Sequence, residues 1–315
     1  MKRIKLNPIV VALLLAAGLF ALGGLLNPNF ANVSQAINIV QLAAFLAIIA
    51  AGQTLVIISG GEGIDLSVGA VVTLGAILVF RFANGSNAML LPALGLALLA
   101  GALIGAINGA GIVLLGVPPL VMTLGMTGVV TGLILTITQG KLIGAPTPAL
   151  KALVARPLLL DVPGVVPLTL ALGGLMWLLL ERTPYGKQVF AIGSNRTTAR
   201  LSGVNVAGVL VATYALSGLL AALGGVVLLG STENVFLNLG ARYTLPSIAA
   251  VVVGGTLIAG GIGSYWGTMA GALVLTMLTS LLTSRQLPES TRQIVYGLTL
   301  LALLAIYGRG RGLRQ

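Results

Sequence analysis

The sequence predicts an all-α integral membrane protein of about ten transmembrane helices, in two inverted halves of five with broken helices near the centre. Three observations favour this fold class. Hydrophobic residues make up 57% of the chain and charged residues only 7%, whereas soluble proteins carry roughly 25% charged residues. Apolar runs of about 20 residues, enough to cross a hydrocarbon core of ~30 Å, recur along the chain. The 44 glycines suit closely packed membrane helices.

Ten apolar runs separated by polar breaks are the predicted spans. Lys2, Arg3 and Lys5 before the first run resemble the start of a signal peptide, but the many spans that follow indicate an uncleaved first helix. The predicted bounds are 7–26, 36–59, 66–83, 90–111, 117–138, 164–181, 205–230, 245–262, 265–284 and 291–308.

The basic residues indicate how the spans are oriented. A net charge of +11 could suggest nucleic acid binding, but the basic residues lie in short loops beside apolar segments. Lys and Arg favour the cytoplasmic side of the membrane, and ten of the 17 fall on that side in the predicted topology and seven on the other. We therefore expect lipid and no nucleic acid as the partner. An even number of spans puts both termini on the same side. We expect that side, and the large polar connector at 182–204, to be cytoplasmic.

A weak internal repeat supports the two halves. LSVGAVVTLGAIL at 66–78 resembles LPSIAAVVVGGTLI at 245–258. GALIGAINGAGIVLLGVPP at 101–119 resembles GALVLTMLTSLLTSRQLPE at 271–289. Two halves of five spans each must lie inverted in the bilayer, an arrangement typical of transporters.

The stretch GGEGIDLSVGA at 60–70 places a carboxylate between two apolar runs. An aspartate in mid-membrane costs roughly 2.5–3.5 kcal/mol unless it faces protein, a watery cavity or a helix end. Asp65 or Ser67 can cap the following helix, and Gly61 and Gly63 let the preceding chain unwind. One interpretation is an ordinary turn at the membrane interface. The other is a broken helix at depth that lines a path.

A second unusual stretch, NGAGIVLLGVPPLVMTLGM at 108–126, also combines polar residues with a break. Asn108 lies in an apolar run, and Pro118 with the next proline forces an extended joint before a helix. Thr123 and Thr127 then share one face of that helix. The two hydroxyls either bond back to their own helix carbonyls, which is common in membranes, or face a functional path.

The connector at 182–204 contains a short amphipathic helix, RTTARLS. Ser194 or Asn195 is a suitable cap, and Gly203 is a suitable C-terminal stop. Arg196 and Arg200 are spaced i, i+4 and share a face. Such a helix either docks on a partner or anchors on anionic lipid headgroups, and the residues alone do not choose between them.

Residue types and motifs that the sequence lacks exclude several classes of function. The chain has no cysteine and no histidine, so disulfides, Cys/His metal sites and thiol or imidazole catalysis are excluded. No G-x-x-x-x-G-K-[ST] motif is present, so no P-loop binds ATP on this chain. No nucleophile, base or metal cluster favours an enzyme. We therefore expect uphill transport to draw its energy from a partner.

Taken together, these stretches resemble the membrane permease subunits of bacterial ABC importers of the ribose/monosaccharide type. The matching segments follow the family's order over nearly the whole chain. They are GGEGIDLSVGA, NGAGIVLLGVPPLVMTLGM, TPYGKQVFAIGSNRTTARLSGV and, at 249–273, AAVVVGGTLIAGGIGSYWGTMAGAL. The resemblance implies one permease domain over 1–315 in the bacterial inner membrane, with 182–204 as a cytoplasmic coupling loop and with no cofactor.

The resemblance also implies partners and roles for residues. A second permease chain, identical or closely homologous, two cytoplasmic ATPase domains and an extracytoplasmic binding protein would complete the importer. The residues expected to couple to the ATPase are Gly193, Asn195, Arg196, Ala199, Arg200 and Gly203. The residues expected along the translocation path are Gly61, Gly63, Asp65, Ser67, Asn108, Pro118 and Thr123.

The expected function is therefore ATP-driven import of a monosaccharide such as ribose. Two alternatives stay open. The first is an ABC permease for a nucleoside or a furanose-like signalling molecule. The second is an ion-coupled secondary transporter, for which only the region 60–67 offers deep ionisable or unwound groups.

Overall fold

The computed structural model describes residues 7–28, 30–159 and 161–288, together with residues 290, 291, 294, 295, 297 and 298. The regular secondary structure of these residues is helical apart from one short antiparallel ribbon, β1 (Pro157–Leu159) with β2 (Val162–Pro163). The helices are α1 (Pro8–Leu26), α2 (Val33–Ile58), α3 (Val68–Ala83), α4 (Leu90–Leu114), α5 (Pro119–Thr138), α6 (Pro148–Ala155), α7 (Val165–Trp177), α8 (Pro184–Ser194), α9 (Arg196–Leu201), α10 (Val206–Thr232), α11 (Thr244–Val253) and α12 (Tyr265–Ser284).

Seven helical segments in these ranges are long and apolar enough to cross a membrane. They are α1, α2, α4, α5, α7 with its π-helical continuation at Leu178–Arg182, α10 and α12. Each lies within a few residues of a predicted span. The predicted span 66–83 is the shorter α3, and most of the predicted span 291–308 lies outside the described residues.

The prediction of a helix through 245–262 is wrong. The helix α11 ends at Val253, and a series of turns follows up to α12. Gly255, Gly260 and Gly261 have φ values of +89°, +87° and +75°, a left-handed conformation that cannot continue an α-helix. The pattern of apolar residues hid these turns because Leu, Ile and Ala separate the glycines.

The centre of the molecule is formed by α2 and α10. The helix α2 packs against α10, α11 and α12, whereas α10 packs against α3 and α4. By contrast, α1, α4, α5 and α7 turn many leucine, valine and isoleucine side chains outward. Broad exposed apolar faces of this kind mark a lipid-facing surface.

The two ends of the helix bundle differ. At one end, which we call the α9 side, α8 and α9 lie beside the ends of α2 and α4 and the start of α10. At the opposite end, the α6 side, α6 and the β-ribbon cover the bundle. There Lys151 Nζ and Glu233 Oε1 form an ion pair of 2.7 Å.

A glycine on each helix lets α4 and α10 pack with their backbones in contact. A Cβ atom built on Gly218 of α10 would collide with the carbonyl oxygen of Gly101 on α4, and it would lie 3.1 Å from the backbone nitrogen of Gly105. Close approach through small residues is a main source of stability between membrane helices.

We therefore expect Gly218→Ala to destabilise the protein by about 1–3 kcal/mol, the usual cost of overpacking a tight contact. The thermal unfolding midpoint of the purified protein in detergent measures the effect. The control is Gly125→Ala on α5, where an added Cβ meets nothing within 4 Å, and which should leave the midpoint unchanged or slightly higher. Equal midpoints for the two variants would contradict this account of the α4–α10 contact.

Candidate functional site

A left-handed turn separates α2 from α3. Gly60, Gly61 and Glu62 have φ values of +71°, +64° and +59° in succession. Two glycines favour this conformation, because a side chain makes it costly. The turn is closed by a hydrogen bond of 3.2 Å from the Gly63 N–H to the Gly60 carbonyl. The predicted break therefore exists, and it brings the chain back toward the interior before α3 begins.

Asp65 lies just after this turn and is only 1% exposed. Its Oδ1 accepts hydrogen bonds from the Ser67 N–H at 3.0 Å and from the Ser67 hydroxyl at 2.6 Å, and its Oδ2 accepts one from the Ser217 hydroxyl at 2.8 Å. Of the two predicted caps, Asp65 therefore holds the start of α3, while Ser67 makes no capping bond to the helix. A buried carboxyl group needs such donors to offset its lost hydration.

Two further side chains join this group. Asn108 of α4 donates from Nδ2 to the Ser67 hydroxyl at 3.0 Å. With its amide oriented to satisfy both partners, Gln53 of α2 donates to the Asp65 carbonyl at 3.2 Å and accepts from the Asp65 N–H at 3.3 Å. We call Gln53, Asp65, Ser67, Asn108 and Ser217 the polar cluster; it ties the break to α2, α4 and α10.

The threonines of α5 hold the extended residues between the turn and α3. The Thr123 hydroxyl accepts from the Leu66 N–H at 3.1 Å, and the Thr127 hydroxyl donates to the Leu66 carbonyl at 3.1 Å. Each hydroxyl also lies within 3.0 Å of a carbonyl one turn back in α5. The interpretation that these hydroxyls bond back to their own helix is therefore confirmed, and they also hold the broken segment. That they face a functional path stays a prediction.

Pro118 is not brought to the polar cluster. It is the N-cap residue of α5 in an extended conformation, and it is exposed at the α9 side. Asn108, Thr123 and Asp65 meet in the interior, whereas Gly61 and Gly63 belong to the turn. The predicted path residues thus form an interior group, a turn and a separate proline joint.

The connector forms the short helix predicted from its sequence. The Asn195 side chain accepts from the Thr198 N–H at 3.0 Å and so caps α9, whereas the Ser194 hydroxyl bonds back to Phe190. Gly203 has φ +82° and follows the end of α9, as expected of a glycine stop.

The predicted coupling residues divide between two faces. Arg200 is exposed, and Leu201 beside it is 84% exposed. Ala199 is buried, and Gly193 lies against the end of α2. Arg196 also faces inward: its Nη2 donates to the Gly60 carbonyl at 3.1 Å. The i, i+4 spacing of the two arginines therefore does not place both guanidinium groups on the outer face.

Glycine backbones bring α8, the turn and the loop after α11 into direct contact. A Cβ on Gly193 would collide with the Ile58 carbonyl, and one on Gly260 would collide with the Cα of Gly60. The Gly261 N–H donates to the Ile58 carbonyl at 2.9 Å. We call Gly60, Gly193, Gly260 and Gly261 the glycine contact.

Sequence reasoning missed several of these residues. Gln53 and Ser217 are polar residues within long apolar stretches of α2 and α10, and a polar residue in such a stretch is the signal that could have identified them. The signal for Leu201 was weaker: it is an apolar residue on a short helix that is otherwise mostly polar. Among the described residues, no group of three or more Asp, Glu, His or Cys side chains could hold a metal ion.

The hydrogen bonds of Asp65 predict how its variants behave. Asp65→Ala leaves three buried donors without an acceptor, and each such group costs about 1–3 kcal/mol. Asp65→Asn keeps an amide oxygen that can accept from Ser67. We therefore expect Asp65→Ala to lower the thermal unfolding midpoint in detergent strongly and Asp65→Asn to lower it only slightly.

Glu62→Gln is the matched control, because it neutralises an exposed carboxylate in the adjacent turn; its midpoint should equal that of the wild type. An equally large loss in Asp65→Asn and Asp65→Ala would indicate a role for the charge itself and would overturn the hydrogen-bond account.

The comparisons with known proteins concern nearly the whole chain. Residues 35–304 match a family model described as branched-chain amino acid transport system / permease component. Autoinducer 2 import system permease protein LsrC of Shigella flexneri is 34% identical over 311 residues, which cover 99% of this chain and 90% of that protein. The protein of the same name from Yersinia enterocolitica is 34% identical over 300 residues, covering 95% of this chain and 82% of that protein.

LsrC of Escherichia coli is likewise 34% identical over 311 residues. No solved structure matches the chain. These matches confirm the predicted resemblance to ABC importer permeases. The chain therefore belongs to the permease component family of branched-chain amino acid transport systems, and it is a multi-pass permease subunit of an ABC importer.

Proposed function

We propose that this permease imports a small sugar-like molecule and that partner ATPases drive it through α9. The observation that carries the proposal is the contact between the connector and the break. Arg196 reaches the Gly60 carbonyl at 3.1 Å, and the glycine contact joins the same elements through their backbones. A displacement of α9 would therefore move the turn between α2 and α3 as well, because the two are in direct contact with no flexible segment between them.

In this proposal 1–315 forms one permease domain, residues 182–204 are its coupling loop, and the α9 side faces the cytoplasm. The α9 side is where α8, α9 and the first residue of α1 lie, since Pro8 packs against Gly255 of the loop after α11. Lys2, Arg3 and Lys5, which precede α1 in sequence, favour the cytoplasm for that end of the helix. Ten spans with both termini in the cytoplasm remain part of the proposal.

The packing of the central helices supports two inverted halves. The helix α2 runs from the α6 side to the α9 side, and α10 runs in the opposite direction. Each central helix packs against the short helix and the long helix that follow the other one: α2 contacts α11 and α12, and α10 contacts α3 and α4. This exchange is the packing expected of two repeats related by a pseudo-two-fold axis in the membrane plane.

The outer face of α9 suits the ATPase partner. Arg200 supplies a positive charge and Leu201 an apolar side chain, and both are exposed at the α9 side. Arginine is enriched among the residues that contribute most to protein–protein binding, and a partner that covers Leu201 removes its apolar surface from water. We infer two permease chains on two ATPase domains, with the inward-facing Arg196 passing the motion on. An anchor on anionic lipid headgroups also combines basic and apolar side chains, so the co-purification experiment below decides between the two partners.

The polar cluster supports a positioning role for the predicted path residues. Both carboxyl oxygens of Asp65 are occupied by serine donors, and the side chain is buried. Asp65, Ser67, Asn108 and Thr123 would thus fix the break that shapes the path. A direct contact between Asp65 and the cargo finds no support in this arrangement.

The names of the relatives indicate which class of cargo to expect. They are named for import of autoinducer 2, which favours the signalling-molecule alternative over ribose and over a nucleoside. We therefore propose autoinducer 2 or a similar small sugar-like molecule as the cargo, delivered by an extracytoplasmic binding protein. Membership of an ABC permease family argues against the ion-coupled alternative.

Uptake in proteoliposomes tests the proposed function. The chain is reconstituted with its ATPase and binding protein, and uptake of autoinducer 2 and of ribose is measured with and without ATP inside. We expect ATP-dependent uptake of autoinducer 2. We also expect Arg200→Glu combined with Leu201→Asn to reduce ATPase co-purification about tenfold, which corresponds to ~1.4 kcal/mol of binding free energy.

Lys141→Glu is the control, because it makes the same charge change at an exposed residue of the α6 side; it should leave co-purification intact. Uptake driven by an ion gradient in the absence of any ATPase would overturn the proposed function.

A further inference from the structure

A polar cavity of about 590 Å³ opens at the α6 side. It lies between the first half of α2, the start of α11 and the second half of α12. Its size falls in the range of about 300–1,000 Å³ that small-molecule sites occupy. None of the residues predicted along the path lines it.

Uncharged polar groups line much of this cavity. Thr276, Thr279 and Ser280 form a hydroxyl stripe on one face of α12, and Asn38 faces them from α2. Among the described residues, no hydrogen bond engages the side chains of Asn38, Thr276 and Ser280. The Thr279 hydroxyl donates to the Leu275 carbonyl at 2.7 Å, which leaves its lone pairs free to accept.

The charges along the cavity wall limit which classes of ligand can bind there. Arg242 is the one charged residue along the cavity wall in the described part of the chain, and its guanidinium lies 5.2 Å from the centre of the Tyr243 ring. None of the described residues along the wall carries a carboxylate, so none of them attracts a cation. Because one guanidinium stands among uncharged hydroxyls and amides in the described lining, the cavity suits a ligand without positive charge that carries several hydroxyl or carbonyl groups.

A second cavity makes a useful contrast. It has about 300 Å³ and is bounded by α1, α2, α7 and α12, but its lining is almost wholly apolar. Thr169 carries the one hydroxyl among the described residues that line it, and that hydroxyl donates to the Val165 carbonyl at 2.8 Å. Such a lining fits lipid chains and offers no recognition of a polar molecule.

The polar cavity ends inside the molecule. Its lining descends α2 from Gln35 to Leu46, about three helical turns or ~16 Å, which is half of a ~30 Å hydrocarbon core. Leu46 belongs to a buried apolar cluster with Ile57, Ile248 and Leu275, and this cluster lies between the cavity and the α9 side. The cavity is therefore accessible from the side opposite α9 and closed toward α9.

We propose that this cavity is the entry site for the cargo, a small neutral polyhydroxylated molecule, and that the hydroxyl stripe of α12 with Asn38 binds it. The inference rests on the proposed function, since it assumes delivery at the α6 side and release at the α9 side. It assigns cargo contact to α2 and α12, whereas the polar cluster near α3 holds the helix break.

The test uses Thr276→Val combined with Ser280→Ala. Since these hydroxyls have no hydrogen-bond partner in the described part of the chain, their removal should leave folding and ATPase co-purification unchanged. We expect ATP-driven uptake of autoinducer 2 at saturating concentration of the loaded binding protein to fall about tenfold. The control is Thr136→Val, which removes an exposed hydroxyl that bonds to its own helix on α5, and which should transport normally.

A labelling experiment supplies an independent measurement. The chain contains no cysteine, so Ser280→Cys can be labelled selectively with a membrane-impermeant thiol reagent. We expect labelling from the α6 side, slowed several-fold by autoinducer 2, whereas labelling of an exposed Ser86→Cys on the same side should not respond.

Normal uptake by the double variant, while the wild type still transports with ATP, would overturn the entry site and leave the proposed function standing. Failure of the wild type to transport with ATP would instead count against the proposed function. Cross-linking of Ser280→Cys between two permease copies, without labelling by the reagent, would show that a second chain fills the cavity and would also overturn the inference.

Discussion

The arrangement of the core depends on one buried carboxyl group. Asp65 lies in an interior made almost entirely of apolar side chains, where its lost hydration must be offset by donors. Ser67 and Ser217 supply them, Asn108 holds Ser67, and Gln53 bonds the Asp65 backbone. Since these groups come from α2, α4, α10 and the start of α3, the requirement of one side chain fixes where four helices meet.

The connector contacts the same region from the α9 side. Arg196 donates to the carbonyl of Gly60, and Gly193 packs on the end of α2, so the proposed coupling loop and the turn before Asp65 are in direct contact. Beyond the turn, Thr123 and Thr127 hold Leu66. Motion imposed on α9 therefore has a continuous route of backbone contacts and hydrogen bonds to the helix break, as alternating access requires.

The sequence predicted the features that depend on local chemistry. The long spans, the break at 60–67, the Asn195 cap and the Gly203 stop follow from apolar runs, glycines and capping residues. The features that it could not predict depend on distant partners. Ser217 lies 152 positions from Asp65. The spacing of Arg196 and Arg200 does not reveal that Arg196 bonds to the Gly60 carbonyl. The end of α11 at Val253 follows from left-handed glycines within an apolar run.

The central claim is that α9 and the turn between α2 and α3 move together. Pulsed electron paramagnetic resonance tests it most directly. Because the chain has no cysteine, spin labels attach only to introduced cysteines, here the pair Glu62→Cys and Thr197→Cys. The distribution of distances between the two labels is compared in the complete importer without nucleotide and with trapped ATP. The account predicts that this distance stays the same, while the distance from Thr197 to a label at Ser86 on the α6 side changes. A change between Glu62 and Thr197 would show that the connector slides over the turn, and it would contradict the account.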